Sequence, residues 1–154
     1  TSSSLGISFA DSHNCTILLA FSLVGKATGI VTNTRITHAT PATAYARSAD
    51  REWESTAPEG CDDVAKQLIH GDVGSKIKVI LGGGWREFVP KSVADAEGNS
   101  GFRTDNRNLI EEWLNLRRQN NANGVYVTTR VRFVTRVFTV FTFYVGYAFD
   151  KRLS

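Results

Sequence analysis

Methionine is absent from this chain. It has no initiator residue and no signal-peptide pattern, which is what a mature or truncated chain would look like. Histidine is scarce as well. His13, His38 and His70 stand far apart in the sequence, without the short spacing that would argue for a metal site. A bilayer-spanning run is missing from the C-terminal tail: Val137 to Phe149 is free of charge, but that is about a dozen residues where a helix needs ~20. A basic body is missing too. The formal net charge is +3, from 18 Lys and Arg against 15 Asp and Glu. After Thr129, Arg130, Arg132, Arg136, Lys151 and Arg152 face only Asp150, five minus one, or +4; the rest holds 13 basic and 14 acidic residues, or −1. A nucleic-acid binder carries its basic footprint on the folded domain, so nucleic acid is not an expected partner.

What remains is ordinary globular material. Hydrophobic residues make up 42% of the 154 and charged residues 21%, enough for one domain with a real core. The two cysteines, Cys15 and Cys61, read as buried free thiols in a cytosolic protein and as a disulfide in a secreted one. Asn14-Cys15-Thr16 fits the glycosylation sequon, which points to secretion, although such triplets arise often by chance.

The organising stretch is Thr28 to Arg51. Ile30 to Thr34 is a short β-branched run that reads as a buried strand, and Arg35 to Ala39 make a polar turn. Thr40-Pro41 reads as a helix start, with Thr40 as N-cap and Pro41 in the first helical position. Ala42, Ala44 and Ala46 are good helix formers, and Arg51 falls near the expected helix end. His38, Thr40 and Arg51 thus gather near the carboxyl end of a strand, where open α/β sheets place ligands.

Elsewhere, Thr16 to Val24 is an apolar helix closed by Gly25 at the C′ position. Glu52 to Gly60 is a polar connection, and Cys61 to His70 a helix with Asp62 and Asp63 in its first turn. Ile77 to Leu81 is a second buried strand. Gly82-Gly83-Gly84 reads as a tight turn rather than a phosphate cradle, since no P-loop Lys-Ser/Thr follows. Lys91 to Gly101 is a long loop, Arg107 to Arg118 an amphipathic helix, and Val125 to Thr129 a third strand. Strands alternating with helices predict an α/β fold with a parallel sheet and helices on both faces. The tail, 131–154, reads as a β-prone strand or a non-native end; the sharper alternative is a membrane-surface segment.

The segment TRITHATPATAYARSADREW resembles the TRxxHATPxxxYAHSADRxW segment of alkaline phosphatases, especially the animal enzymes. EGCDDVAKQLI (Glu59 to Ile69), VILGGGWREFVPK (Val79 to Lys91) and GFRTDNRNLIEEWL (Gly101 to Leu114) follow in that family's order. The likeness covers roughly Leu5 to Arg130, weakly before Gly25, an interior piece of a much longer enzyme. It divides the chain into a partial alkaline phosphatase domain over 1–130 and a non-family tail over 131–154. It implies part of a three-layer αβα sandwich around a mainly parallel sheet.

The same resemblance implies chemistry. Arg51, otherwise a solvated arginine at a helix end, becomes the group that binds the substrate phosphate and its transition-state charge. Thr40, otherwise an N-cap, becomes a Mg²⁺ ligand. His38 stands near the magnesium without ligating it, and Arg47 replaces a histidine usual in the family. Cys15 and Cys61 become a disulfide. The parent reaction is phosphomonoester hydrolysis at alkaline pH through a phosphoserine, with Zn²⁺ and Mg²⁺. The family is usually homodimeric, extracellular or at the cell surface, and often held there by a lipid (GPI) anchor that these residues do not encode. Neither the DSA-type serine nor the GRIDHGHH-like and TADHSH-like zinc segments occur in this sequence. The chain alone is therefore expected to be inactive. The alternative is a non-catalytic secreted module that binds anions at Arg51 or pairs with another chain.

Overall fold

A computed structural model describes residues 18, 21, 23–128 and 142–145. Leu18, Phe21 and Leu23 are helical, as expected of the first apolar segment. The helix closes as glycine-capped helices do: Gly25 is left-handed at φ 77°, and the Lys26 N–H returns to the Phe21 carbonyl at 2.9 Å. Phe21 and Leu23 are exposed.

Four strands form one sheet in the order β1-β2-β4-β3. They are β1 (Gly29–Arg35), β2 (Val79–Gly83), β3 (Val125–Tyr126) and β4 (Thr142–Val145). Every pairing is parallel, as the alternation of elements requires. β4 comes from the tail read as β-prone and lies between β2 and β3. β1 and β2 approach closely because Gly82 has no side chain: a Cβ there would meet Thr32 Cγ2 at 2.9 Å. The three glycines are thus two strand residues, Gly82 and Gly83, and one left-handed residue, Gly84 at φ 91°. The tight-turn reading holds only for the last of them.

Three helices follow the strands: α1 (Ala39–Ala42), α2 (Val64–His70) and α3 (Leu109–Gln119). α2 starts three residues later than expected because the Asp63 side chain caps it, accepting the Lys66 N–H at 2.8 Å. α3 is capped in the same way by Asn108, which accepts from Glu111 N–H. The core joins Val64, Ala65, Leu68 and Ile69 of α2 with Leu109, Ile110 and Trp113 of α3, together with Ile36, Ile80, Phe88 and Val89.

One arginine inside this framework is fully enclosed. Arg103 forks onto Asp63 at 2.9 and 3.2 Å and onto Asp105 at 2.6 and 3.0 Å, and also donates to the Glu87 carbonyl at 3.2 Å. Lys66 Nζ lies 3.5 Å from Asp63 and 3.2 Å from Asp105. The cluster ties the loop after β2 to the head of α2.

The helix expected from Pro41 to near Arg51 is not formed. α1 stops at Ala42, and His38, not Thr40, occupies the N-cap position, without a side-chain cap bond. Three interactions explain the early stop. The Thr43 hydroxyl bonds the Thr40 carbonyl at 2.8 Å, a local alternative to helical bonding. The Tyr45 hydroxyl reaches back to the Ile36 carbonyl at 2.8 Å. The Gln67 amide takes both backbone groups of Arg47, at 2.8 and 2.9 Å, so they cannot join a helix. Tertiary bonds override the alanine propensity here.

Candidate functional site

The site is built on the turn that leaves β1. Ile36 N–H bonds the Gly83 carbonyl at 3.0 Å, and His38 N–H bonds the Arg35 carbonyl at 3.0 Å. The chain therefore bends at the carboxyl end of the strand and presents His38. It returns after α1 through an irregular stretch to a turn at Arg51. There Arg51 Nη2 lies 3.3 Å from His38 Nε2. A guanidinium can only donate, so Nε2 is the acceptor, and the ring proton of neutral His38 sits on Nδ1. Nδ1 is buried without a partner among the described residues.

Arg51 is otherwise open: its side chain is 59% exposed, and its one ion pair among the described residues, Nε to Glu52 at 3.7 Å, is loose. Thr40 is exposed in α1, two residues after His38. Its N-cap role is corrected by the helix boundary, which leaves the hydroxyl free of that duty. Of the three residues singled out, the structure brings His38 and Arg51 into contact. Arg47, where the family usually has histidine, is exposed and engaged through its backbone with Gln67. Cys61 is exposed and makes no disulfide with any described residue. Asn14 and Cys15 lie outside the described residues.

Beneath this turn is a set of residues that pattern reading missed. Arg35 forks onto Glu54 at 2.6 and 2.9 Å, and the Thr37 hydroxyl donates to the same carboxylate at 2.6 Å. Thr37 is completely buried and Glu54 nearly so. Burial pushes the Glu54 carboxyl up, but the bonds from Arg35 and Thr37 outweigh it and hold it below the ordinary carboxylate value. Glu87, also buried, goes the other way: burial raises it more than a bond with Ser55 lowers it, and neighbouring Glu54 adds to the rise. Arg35 and Glu54 are 19 residues apart, and no helix or hairpin spacing marks such a pair. The only sequence hint was an arginine at the end of a strand.

Among the described residues, no group of three or more His, Cys, Asp or Glu converges on one point. Thr40 offers a single neutral hydroxyl, whereas Mg²⁺ demands an octahedron of oxygens and Zn²⁺ four N, S or O ligands. These residues alone do not make either metal site.

A parallel sheet with helices packed against it defines a partial α/β protein, in which the exposed Arg51 returns beside the turn that leaves β1. The family model for alkaline phosphatase matches residues 1–140. The chain is 48% identical over 114 residues to a membrane-bound alkaline phosphatase of Bombyx mori, covering 69% of this chain and 21% of that protein. It is 42% identical over 115 residues to an alkaline phosphatase of Gadus morhua, covering 67% and 23%. With the tissue-nonspecific isozyme of Homo sapiens it shares 42% identity over 105 residues, 60% and 20%. The chain belongs to the alkaline phosphatase family. It spans about a fifth of the length of the curated relatives it matches. No helix among the described residues is long and apolar enough to cross a membrane.

Proposed function

We propose that this chain carries the phosphate-holding corner of an enzyme that hydrolyses phosphate monoesters. Arg51 supplies two forked N–H donors to two phosphate oxygens. It remains charged at any working pH, which suits an alkaline reaction. His38 Nε2 accepts from one amino group of Arg51 and so orients the fork. Thr40 offers its hydroxyl to Mg²⁺, with further ligands coming from other segments. In the whole enzyme that this reading implies, segments outside these residues would hold two zinc ions, which would supply Lewis-acid chemistry to a serine nucleophile and a leaving oxygen. The observation that carries the proposal is the 3.3 Å contact between Arg51 and His38, which joins two residues of the family-like segment at the end of β1.

Without the serine and the zinc-binding segments, these 154 residues release no appreciable phosphate, because groups that act as a unit lose most of their rate together. The whole-protein features that follow from the family are a homodimer, a glycosylated extracellular chain (Asn14), a Cys15–Cys61 bridge and a lipid anchor at the cell surface. Two assays test the reading. The first measures release from an aryl phosphate with Zn²⁺ and Mg²⁺ supplied; turnover near that of a complete alkaline phosphatase contradicts the inactivity of the chain. The second is a titration with inorganic phosphate. Saturable binding that Arg51→Ala abolishes supports the role of Arg51, and binding that survives the substitution refutes it. Binding without turnover in the full-length protein would favour the non-catalytic anion-binding module instead.

A further inference from the structure

We propose that Glu54 is a positioning residue for the phosphate site, acting as a staple that closes the loop bearing His38, Thr40 and Arg51. The inference rests on the reading of Arg51 as the phosphate-binding group.

All three site residues lie between Arg35 and Glu54, and the side chains of those two residues are joined. Arg35 and Thr37, at the near end, both bond the Glu54 carboxylate. The near end is itself anchored on the sheet through Ile36 N–H and the Gly83 carbonyl. The far end is anchored on α2: Val64 N–H bonds the Trp53 carbonyl at 2.9 Å, and Ala65 N–H bonds the Glu54 carbonyl at 3.0 Å. The carboxylate therefore links two separately fixed pieces of backbone. His38 directly follows Thr37, and Arg51 stands three residues before Glu54, so the staple sets the separation of the imidazole and the guanidinium.

Two observations indicate that these backbone anchors alone do not fix the two side chains. His38 Nδ1 has no partner among the described residues, so none of them holds the ring through a second hydrogen bond. Among the described residues, Arg51 has besides the histidine an exposed, loose pair with Glu52. Gly84 shows how closely the staple is accommodated: a Cβ there would lie 3.0 Å from Arg35 Cβ and 3.4 Å from the Thr37 hydroxyl. The glycine leaves room for the two donors to reach Glu54.

The test uses the full chain, with inorganic phosphate as probe, and compares Glu54→Gln with Leu109→Ala. Leu109 is buried in α3 and makes none of the bonds to the Glu54 carboxylate, so its truncation lowers stability while leaving those bonds in place. Affinity is measured well below the unfolding temperature, and a nuclear Overhauser effect between the His38 ring and the Arg51 guanidinium reads their proximity. The expected result in Glu54→Gln is phosphate affinity weakened about tenfold, as for loss of one charge-assisted bond, and no Overhauser effect between the two side chains. Leu109→Ala should keep the parental affinity. If Glu54→Gln lowers only the melting temperature and keeps both the affinity and the Overhauser effect, the positioning role is overturned while Arg51 keeps its own. If the parent chain binds no phosphate, the Arg51 reading falls. The Overhauser effect then reads the staple alone: its persistence in Glu54→Gln shows that Glu54 does not hold the two side chains together, and its disappearance shows that it does, without a phosphate site to position. Should Glu54→Gln fail to fold, Thr37→Val, which removes one of the staple's bonds, replaces it: weaker binding supports the proposal and parental binding overturns it.

Discussion

Arg103 offers the sharpest stability test. Its side chain has no solvent exposure and Asp63 beside it has 1%. Replacing Arg103 with Met removes four charge-assisted bonds to carboxylates and one to a carbonyl. Asp105, at 31% exposure, can turn to water, and Lys66 stays near it. Asp63 cannot turn away: it remains buried, capping α2, with Lys66 at 3.5 Å as its remaining cation. Breaking a buried pair from one side typically costs 3–5 kcal/mol, because the surviving charge is left uncompensated. With Lys66 taking part of the load, Arg103→Met should cost about 3 kcal/mol, the lower end of that range. Removing the stranded charge as well should recover much of the loss. Arg103→Met with Asp63→Asn keeps a capping oxygen but no buried ion, and should come back to within about 1–2 kcal/mol of the parent, since paired replacement of buried ions is often close to neutral. Urea unfolding followed by tryptophan fluorescence reads both variants. A single variant within 1 kcal/mol of the parent, or a double variant no more stable than the single, would refute the reasoning.

Further outcomes follow from the same geometry. Gly84→Ala places a Cβ on a left-handed residue and against Arg35 and Thr37, so it should cost about 1–2 kcal/mol and disturb the Glu54 carboxylate more than Gly25→Ala, which meets nothing within 4 Å. Asp105, Glu54 and Glu112 are all held below the ordinary carboxylate value. For Asp105 and Glu54, burial acts upward but bonds led by those from Arg103 and Arg35 outweigh it; for Glu112 the Arg107 bond leads. A lowered folded value adds stability that is present above the unfolded value near 4 and lost as pH falls through the folded one. Acid titration should therefore show stability declining steadily below about pH 4, with a shallower decline in Asp105→Asn. Glu87, raised by its burial, works with the opposite sign: its ionisation costs the folded state stability as pH rises, and Glu87→Gln should remove that part of the dependence.

The sequence disclosed the architecture wherever one local rule governed it. The positions of β1 and β2 followed from β-branched runs, although β1 is largely exposed rather than buried, with Val31 at 73%; α3 followed from its amphipathic spacing, and the Gly25 stop from its place after an apolar helix. The failure at α1 has a clear cause. Pro41 and its alanines favour a helix, but Tyr45 and Gln67 bond distant backbone and turn the chain aside. Those partners lie 9 and 20 residues away, and propensity, summed residue by residue, has no term for a side chain that bonds distant backbone. The site divided along the same line. His38 and Arg51 could be singled out within one segment, and they touch. Glu54 looked like one residue of a polar connection, because its partners are met only once the sheet and α2 are assembled.

The central claim is that the Arg51 guanidinium meets a phosphoryl group. The most direct measurement follows the Arg51 Nε–H resonance while inorganic phosphate is added to the chain. The account predicts a saturable shift of that resonance, accompanied by a change at the His38 ring and absent in Arg51→Ala. A resonance that stays still while phosphate binds elsewhere, or does not bind at all, would contradict it.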